Sequence, residues 1–108
     1  MGMDVKKFID RLVLCCNEKG LTRTTFAKAF GIPESTIRNW IRNGNMPSAE
    51  IVYNMAKYFN VPMEYLIGGK ESPVGDAEII MFLKMQKLSA AQKKILITVA
   101  DSLIAQKD

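Results

Sequence analysis

Groups able to do covalent or acid–base work are nearly missing from this chain. Its 108 residues contain no histidine, and its two cysteines, Cys15 and Cys16, are neighbours. Adjacent residues on a helix point in different directions, so the pair makes neither a disulfide framework nor a zinc site. Two small thiols, buried or half-buried in a reducing compartment, are the reading that this usage favours. There is no glycine-rich phosphate loop and no nucleophile–base pair, so we expect no enzyme, no cofactor and no metal centre. The spacing that stands out is steric: Ala27, Gly31, Ile37 and Trp40, inside the window from Arg23 to Trp40. Two helices that cross at roughly 100–120° through a very short turn make specific demands. The first helix needs a small residue where the second approaches, and Ala27 is there. The turn needs a residue tolerant of positive φ four positions on, and Gly31 is there. The second helix needs a branched apolar anchor, Ile37, followed one turn later by Trp40, which this spacing turns inward. Ser35 and Asn39 lie on the outer face of this second helix and gain nothing by packing.

The elements that must hold this window are legible as helices. Val5, Phe8, Ile9, Leu12, Val13 and Cys16 recur at helical spacing, which predicts a first helix from about Asp4 to Lys19, capped by Asp4 and ended by Gly20. Thr22 caps a short second helix that buries Phe26, Ala27 and Phe30 and stops at Gly31. A third begins after Pro33 and runs to about Arg42 with Ile37, Trp40 and Ile41 inward. Asn43-Gly44-Asn45 and Pro47 form a turn. Ser48 caps a fourth helix with an apolar stripe of Ile51, Val52, Met55, Ala56 and Phe59. A very short fifth helix, Pro62 to Ile67, closes the unit with Tyr65 and Leu66.

Gly68 to Gly75 has the composition of a linker. Beyond it, Glu78 to Leu88 is apolar on nearly every side. Ser89 and Gln92 form a capping box that opens a last helix to about Gln106. No strand pattern appears, so the expected class is all-α: five helices in residues 1–69, a linker at 70–76 and two helices in 77–108. A helix apolar all round must be buried, yet this one is too short for a membrane span. The two last helices either pair with those of a second chain or fold back on the first five. Pairing is favoured, through Ile79, Phe82, Leu83, Ile95, Leu96, Val99 and Leu103, because five helices already close a core. No sustained heptad flanked by charges appears, so a compact bundle fits better than a long coiled coil.

Residues 1–70 hold ten Lys/Arg against six Asp/Glu, whereas residues 71–108 hold five of each, so the whole net charge of +4 sits in the first part. That placement suits a polyanionic partner. No run of about 18 apolar residues predicts a transmembrane helix. The start, Met1-Gly2-Met3-Asp4, lacks a secretory pattern, and the expected compartment is the cytoplasm.

The run Leu21-Thr-Arg-Thr-Thr-Phe-Ala-Lys-Ala-Phe-Gly-Ile-Pro-Glu-Ser-Thr-Ile-Arg-Asn-Trp resembles the helix-turn-helix of the lambda-repressor-like family (Cro/CI-type, XRE). Gly44-Asn-Met-Pro-Ser and Val61-Pro-Met-Glu-Tyr-Leu-Ile-Gly-Gly extend the resemblance to about residues 5–69. Trp40 with Gly44 four residues on is similar to the phage CI-type subgroup. The resemblance implies a third helix laid in the major groove of duplex DNA. Carried over residue by residue, it implies that Glu34, Ser35 and Asn39 face the bases, with Thr36 and Arg38 beside them. Arg23 falls where the family binds phosphate, commonly with Gln, and Arg42, Asn43 and Asn45 are further phosphate contacts. Where Pro33 stands the family usually has Ser or Thr, so Glu34 is expected to complement the helix dipole instead of a side-chain cap.

What the resemblance implies in function is a sequence-reading transcriptional regulator, expected to be a homodimeric repressor. Larger repressors of this type carry a self-cleaving Ser–Lys peptidase domain, which the segment after residue 76 is too short to hold. Release from DNA would then need an antirepressor protein or dilution of the dimer. The rival reading is an antitoxin, with a toxin protein as partner on the same fold.

Overall fold

The Asp4 carboxylate accepts a hydrogen bond from the Lys7 amide at 3.0 Å and so opens the first helix, α1 (Val5–Lys19). The computed structural model describes residues 4–68 and 74–106. Within them the chain forms seven α-helices and no strand: α1, α2 (Arg23–Phe30), α3 (Glu34–Asn43), α4 (Ala49–Phe59), α5 (Met63–Ile67), α6 (Asp76–Met85) and α7 (Ala90–Ala105). Most of the expected linker, residues 70–73, lies outside the described residues.

Local chemistry explains where each helix starts and stops. Thr22 caps α2 by accepting from the Thr25 amide, and the Thr25 hydroxyl returns the bond to the Thr22 backbone. Ser48 caps α4 through the Ile51 amide. Ser89 and Gln92 close the expected box at the start of α7. Gly20, Gly31 and Gly44 end α1, α2 and α3 with φ of 73°, 62° and 69°, a region where a Cβ is costly. Asn60 does the same after α4 at φ 59°.

The core gathers Phe8, Leu12 and Cys15 of α1 around Phe26, Ile37, Trp40, Met55, Phe59, Tyr65 and Leu66. Helix α1 is rotated relative to the stripe expected from its sequence. Its buried face holds Phe8, Arg11, Leu12 and Cys15, while Val13 is half exposed. Ile41, expected inward, is also 48% exposed. Ile37 and Trp40 take the inward face of α3, and Ile41 lies beside them on the rim of an apolar groove.

The greatest departure lies in α6. It begins at Asp76 rather than near residue 78, and it packs on α1 and the core of its own chain. Ile79 and Leu83, expected at a subunit interface, are 2% and 4% exposed within the monomer. The physical reason is polar as well as apolar. Arg11 of α1 pairs with Asp76 at the start of α6, and Glu18 of α1 pairs with Lys84 near its end, at 3.3 and 3.2 Å. Helix α7 is the opposite case, for none of its residues is buried. Ile95, Leu96, Val99 and Leu103 stay exposed, as does Phe82 on α6. The radius of gyration, 16.3 Å, exceeds the ~13 Å of a compact domain of this length, as a protruding helix requires.

Candidate nucleic-acid interface

Helix α2 stops at Gly31 through two backbone bonds, Gly31 N–H to Lys28 C=O at 3.2 Å and Ile32 N–H to Ala27 C=O at 2.9 Å. This left-handed cap reverses the chain within three residues, and α3 begins at Glu34. Ala27 is 5% exposed at the crossing. Ile37 and Trp40 are each 5% exposed and fasten α3 to the core, where the Trp40 ring meets Phe8 edge-on with centroids 6.4 Å apart. Of the four residues expected to shape the crossing, Ala27, Ile37 and Trp40 are buried and Gly31 has a positive φ. At the far end of α3, the Gly44 amide donates to the Trp40 carbonyl at 3.1 Å.

With two anchors inward, the opposite face of α3 is left to solvent. Ser35, Arg38 and Asn39 are exposed on it, and Arg42, Asn43 and Asn45 continue the exposed surface past its end. Glu34 and Thr36 are half-buried. Pro33 precedes α3 without a side-chain cap bond, as its lack of a polar group requires. Glu34 places a carboxylate in the first turn, where the helix dipole favours it, and accepts a hydrogen bond from the Thr24 hydroxyl at 3.3 Å. Thr24 was not singled out from sequence. Its signal is only that it lies two residues past the cap that opens α2.

Arg23 is the first residue of α2 and is exposed. It lines, with Ile37 and Ile41, a groove of about 240 Å³ whose other wall is Ile9, Val13 and Cys16 of α1. The start of α2 is thereby brought to the flank of α3. Among the described residues, no ion pair engages Arg23, Arg38 or Arg42. These side chains form an exposed cationic and amide-bearing surface around one helix, suited to hydrogen bonding with base edges and phosphates.

The cysteines offer no competing chemistry. Burial pushes the Cys15 thiol up to about 12, helped by neighbouring Cys16, Asp76 and Glu18, and burial pushes Cys16 up to about 11. Thiolate, the reactive form, is thus suppressed at both. Among the described residues, no cluster of His, Cys, Asp and Glu could hold a metal ion, and no helix is long and apolar enough to cross a membrane.

Residues 14–66, from the second half of α1 to Leu66 of α5, match the model of a helix-turn-helix family. The match points to a DNA-binding transcription regulator. No curated protein and no solved structure matches the chain.

Proposed function

From the helix-turn-helix match over residues 14–66, we propose that this chain is a dimeric transcriptional repressor of the phage CI type that reads an inverted repeat in duplex DNA. The observation that carries the proposal is the division of α3 into a buried side, Ile37 and Trp40, and an exposed side, Ser35, Arg38 and Asn39. An α-helix so divided fits the major groove, whose width of about 12 Å admits it. Asn39 pairs with adenine N6/N7, Arg38 with guanine O6/N7, and Ser35 and Thr36 adjust to either purine. Glu34 accepts from cytosine N4, a carboxylate having acceptor capacity beyond its bond to Thr24. Arg23, Arg42, Asn43 and Asn45 bind phosphate and fix the register.

The dimer forms through α7, with Ile95, Leu96, Val99 and Leu103 as its face and Phe82 at its edge. An apolar helix with no buried residue is the feature that supports this assignment. Two heads on a two-fold axis then read half-sites about one helical turn, ~34 Å, apart. The protein acts in the cytoplasm, and its release from DNA comes through an antirepressor protein or through dilution of the dimer.

The test is selection of bound sites from a random duplex library at physiological salt. An inverted repeat with a defined spacer is expected. Only salt-sensitive background binding would end the regulator reading and favour an antitoxin-like module whose α7 is covered by a different protein.

A further inference from the structure

Arg11 is the buried charged residue of the described chain, 5% exposed, and a charge so placed must be paired to be tolerated. Its Nε donates to Asp76 Oδ1 at 3.3 Å and its Nη1 donates to the Tyr65 carbonyl at 2.6 Å. Its guanidinium lies 4.5 Å from the centroid of the Tyr65 ring. The Tyr65 hydroxyl closes the ring of contacts by donating to the same Asp76 Oδ1 at 2.8 Å. Three helices meet in this cluster: α1 brings Arg11, α5 brings Tyr65, and α6 brings Asp76 as its first residue.

The attachment has a second point two turns on, where Lys84 Nζ meets Glu18 Oε1 at 3.2 Å. The partners advance together, residue 11 to 18 on α1 and 76 to 84 on α6, so the two helices run side by side in the same direction. Ile79 and Leu83 are buried between the two ion pairs. One turn before Arg11, on the same buried face, α1 carries Phe8, whose ring packs on Trp40 of α3. A continuous packed path therefore joins α3 to α6. Helix α7 starts at Ala90 after a turn tightened by bonds from the Lys87 and Leu88 amides to the Lys84 and Met85 carbonyls.

We propose that the Arg11–Tyr65–Asp76 cluster is a positioning clasp that fixes where α7 leaves the DNA-reading unit, and so sets the spacing between half-sites that the dimer accepts. This rests on the dimeric reading above. One base pair added to a spacer moves the second half-site by about 3.4 Å and turns it by about 35°. A rigid connection between α3 and the dimer helix discriminates against such a change, whereas a tether of the composition of residues 68–75 would absorb it. Arg11, Tyr65 and Asp76 touch no DNA in this arrangement. They act through the placement of α6.

The experiment is site selection from libraries of paired half-sites whose spacers differ in length, with the wild type and Asp76→Asn. Circular dichroism and sedimentation are run on both. The wild type is expected to enrich one spacer. Asp76→Asn is expected to keep the half-site sequence, the helicity and the dimer, but to accept several consecutive spacer lengths, its preference for the original one falling about 5-fold or more. A pair that only stabilises the fold would lower the melting temperature and leave the spacer preference as narrow as before. That result would overturn the clasp while leaving the dimeric reading intact. If the wild type itself enriches single half-sites, the dimeric reading falls, and the clasp falls with it. If Asp76→Asn loses helicity, the double variant Arg11→Met with Asp76→Asn removes the buried charge along with its partner. It is held to the same expectation, and a narrow spacer there counts equally against the proposal.

Discussion

The Thr24 hydroxyl donates to Glu34 Oε2 across 3.3 Å, so the helix before the turn braces the first residue of the exposed helix after it. With Pro33 unable to cap α3, this bond and the helix dipole together hold the Glu34 carboxylate at the end of α3 proposed to meet the bases. Bracing and base reading separate by mutation. Thr24→Val frees the carboxylate without removing it and should cost no more than about 1 kcal/mol in affinity, with base preference kept. Glu34→Ala should relax preference at one base pair. Titration against the selected site and its single-base variants distinguishes the two, and identical profiles would reduce Glu34 to a brace.

Asn39 and Arg23 are assigned different tasks and should fail differently. Asn39 is exposed midway along α3, opposite Ile37 and Trp40, and Asn39→Ala should cost about 1–3 kcal/mol on the cognate site and loosen one position. Arg23, at the start of α2 beside that helix, carries charge rather than base pattern. Arg23→Ala should weaken binding to all sequences alike and flatten the dependence on salt, because one fewer phosphate is neutralised. Competition binding at several salt concentrations checks both. The roles as assigned fail should both variants lose specific and random DNA in equal measure.

How much of this was legible in sequence depended on whether the signal was local. The caps at Thr22, Ser48 and Ser89, and the positive-φ end at Gly31, are decided by a few neighbouring residues, and each was read correctly. Of the three residues of α3 that helical spacing turns inward, Ile37 and Trp40 are buried, whereas Ile41 is 48% exposed. The rotation of α1 was not legible. Phe8, Arg11, Leu12 and Cys15 share one face at offsets of three, four and seven, but an arginine within such a stripe reads as an interruption until its partner Asp76 is seen. Helix α6 was misplaced for a related reason. A helix apolar on most sides has no phase, so its sequence states that it must be covered and not by what. The cover came from α1 of the same chain through two ion pairs between residues far apart in sequence.

The buried thiol of Cys15 gives stability an alkaline limit. It holds its proton up to about pH 12 in the folded chain, whereas an unfolded cysteine releases it near 9. Between those values the native state binds more protons than the unfolded one, so stability is complete below about pH 9 and declines as pH rises towards 12. Tyr65, also shifted upward by burial and its bond to Asp76, adds to the decline. Urea unfolding at pH 8 and pH 10.5 should show this loss, and in Cys15→Ala it should be smaller by about 1–2 kcal/mol. An equal loss in the variant would mean that other groups cause it.

Leu83 and Leu103 make the sharpest contrast, because both were expected at one interface and the structure separates them. Leu83 is 4% exposed against α1, and Leu103 is 64% exposed on α7. An aspartate at residue 83 buries a charge with no partner, which costs at least about 3 kcal/mol and consumes much of the stability of a small domain. Leu83→Asp should therefore lower the melting temperature steeply even at dilutions where only monomer remains. Leu103→Asp places its charge in water within the monomer, where a surface change is worth about 0.5 kcal/mol or less. It should leave the monomer's helicity and melting unchanged, yet abolish the dimer and with it the high-affinity binding of the inverted repeat. Sedimentation over a range of concentrations, with thermal melts at each, measures both effects. An undisturbed dimer in Leu103→Asp would remove α7 from the interface and require another surface to bring the two heads together.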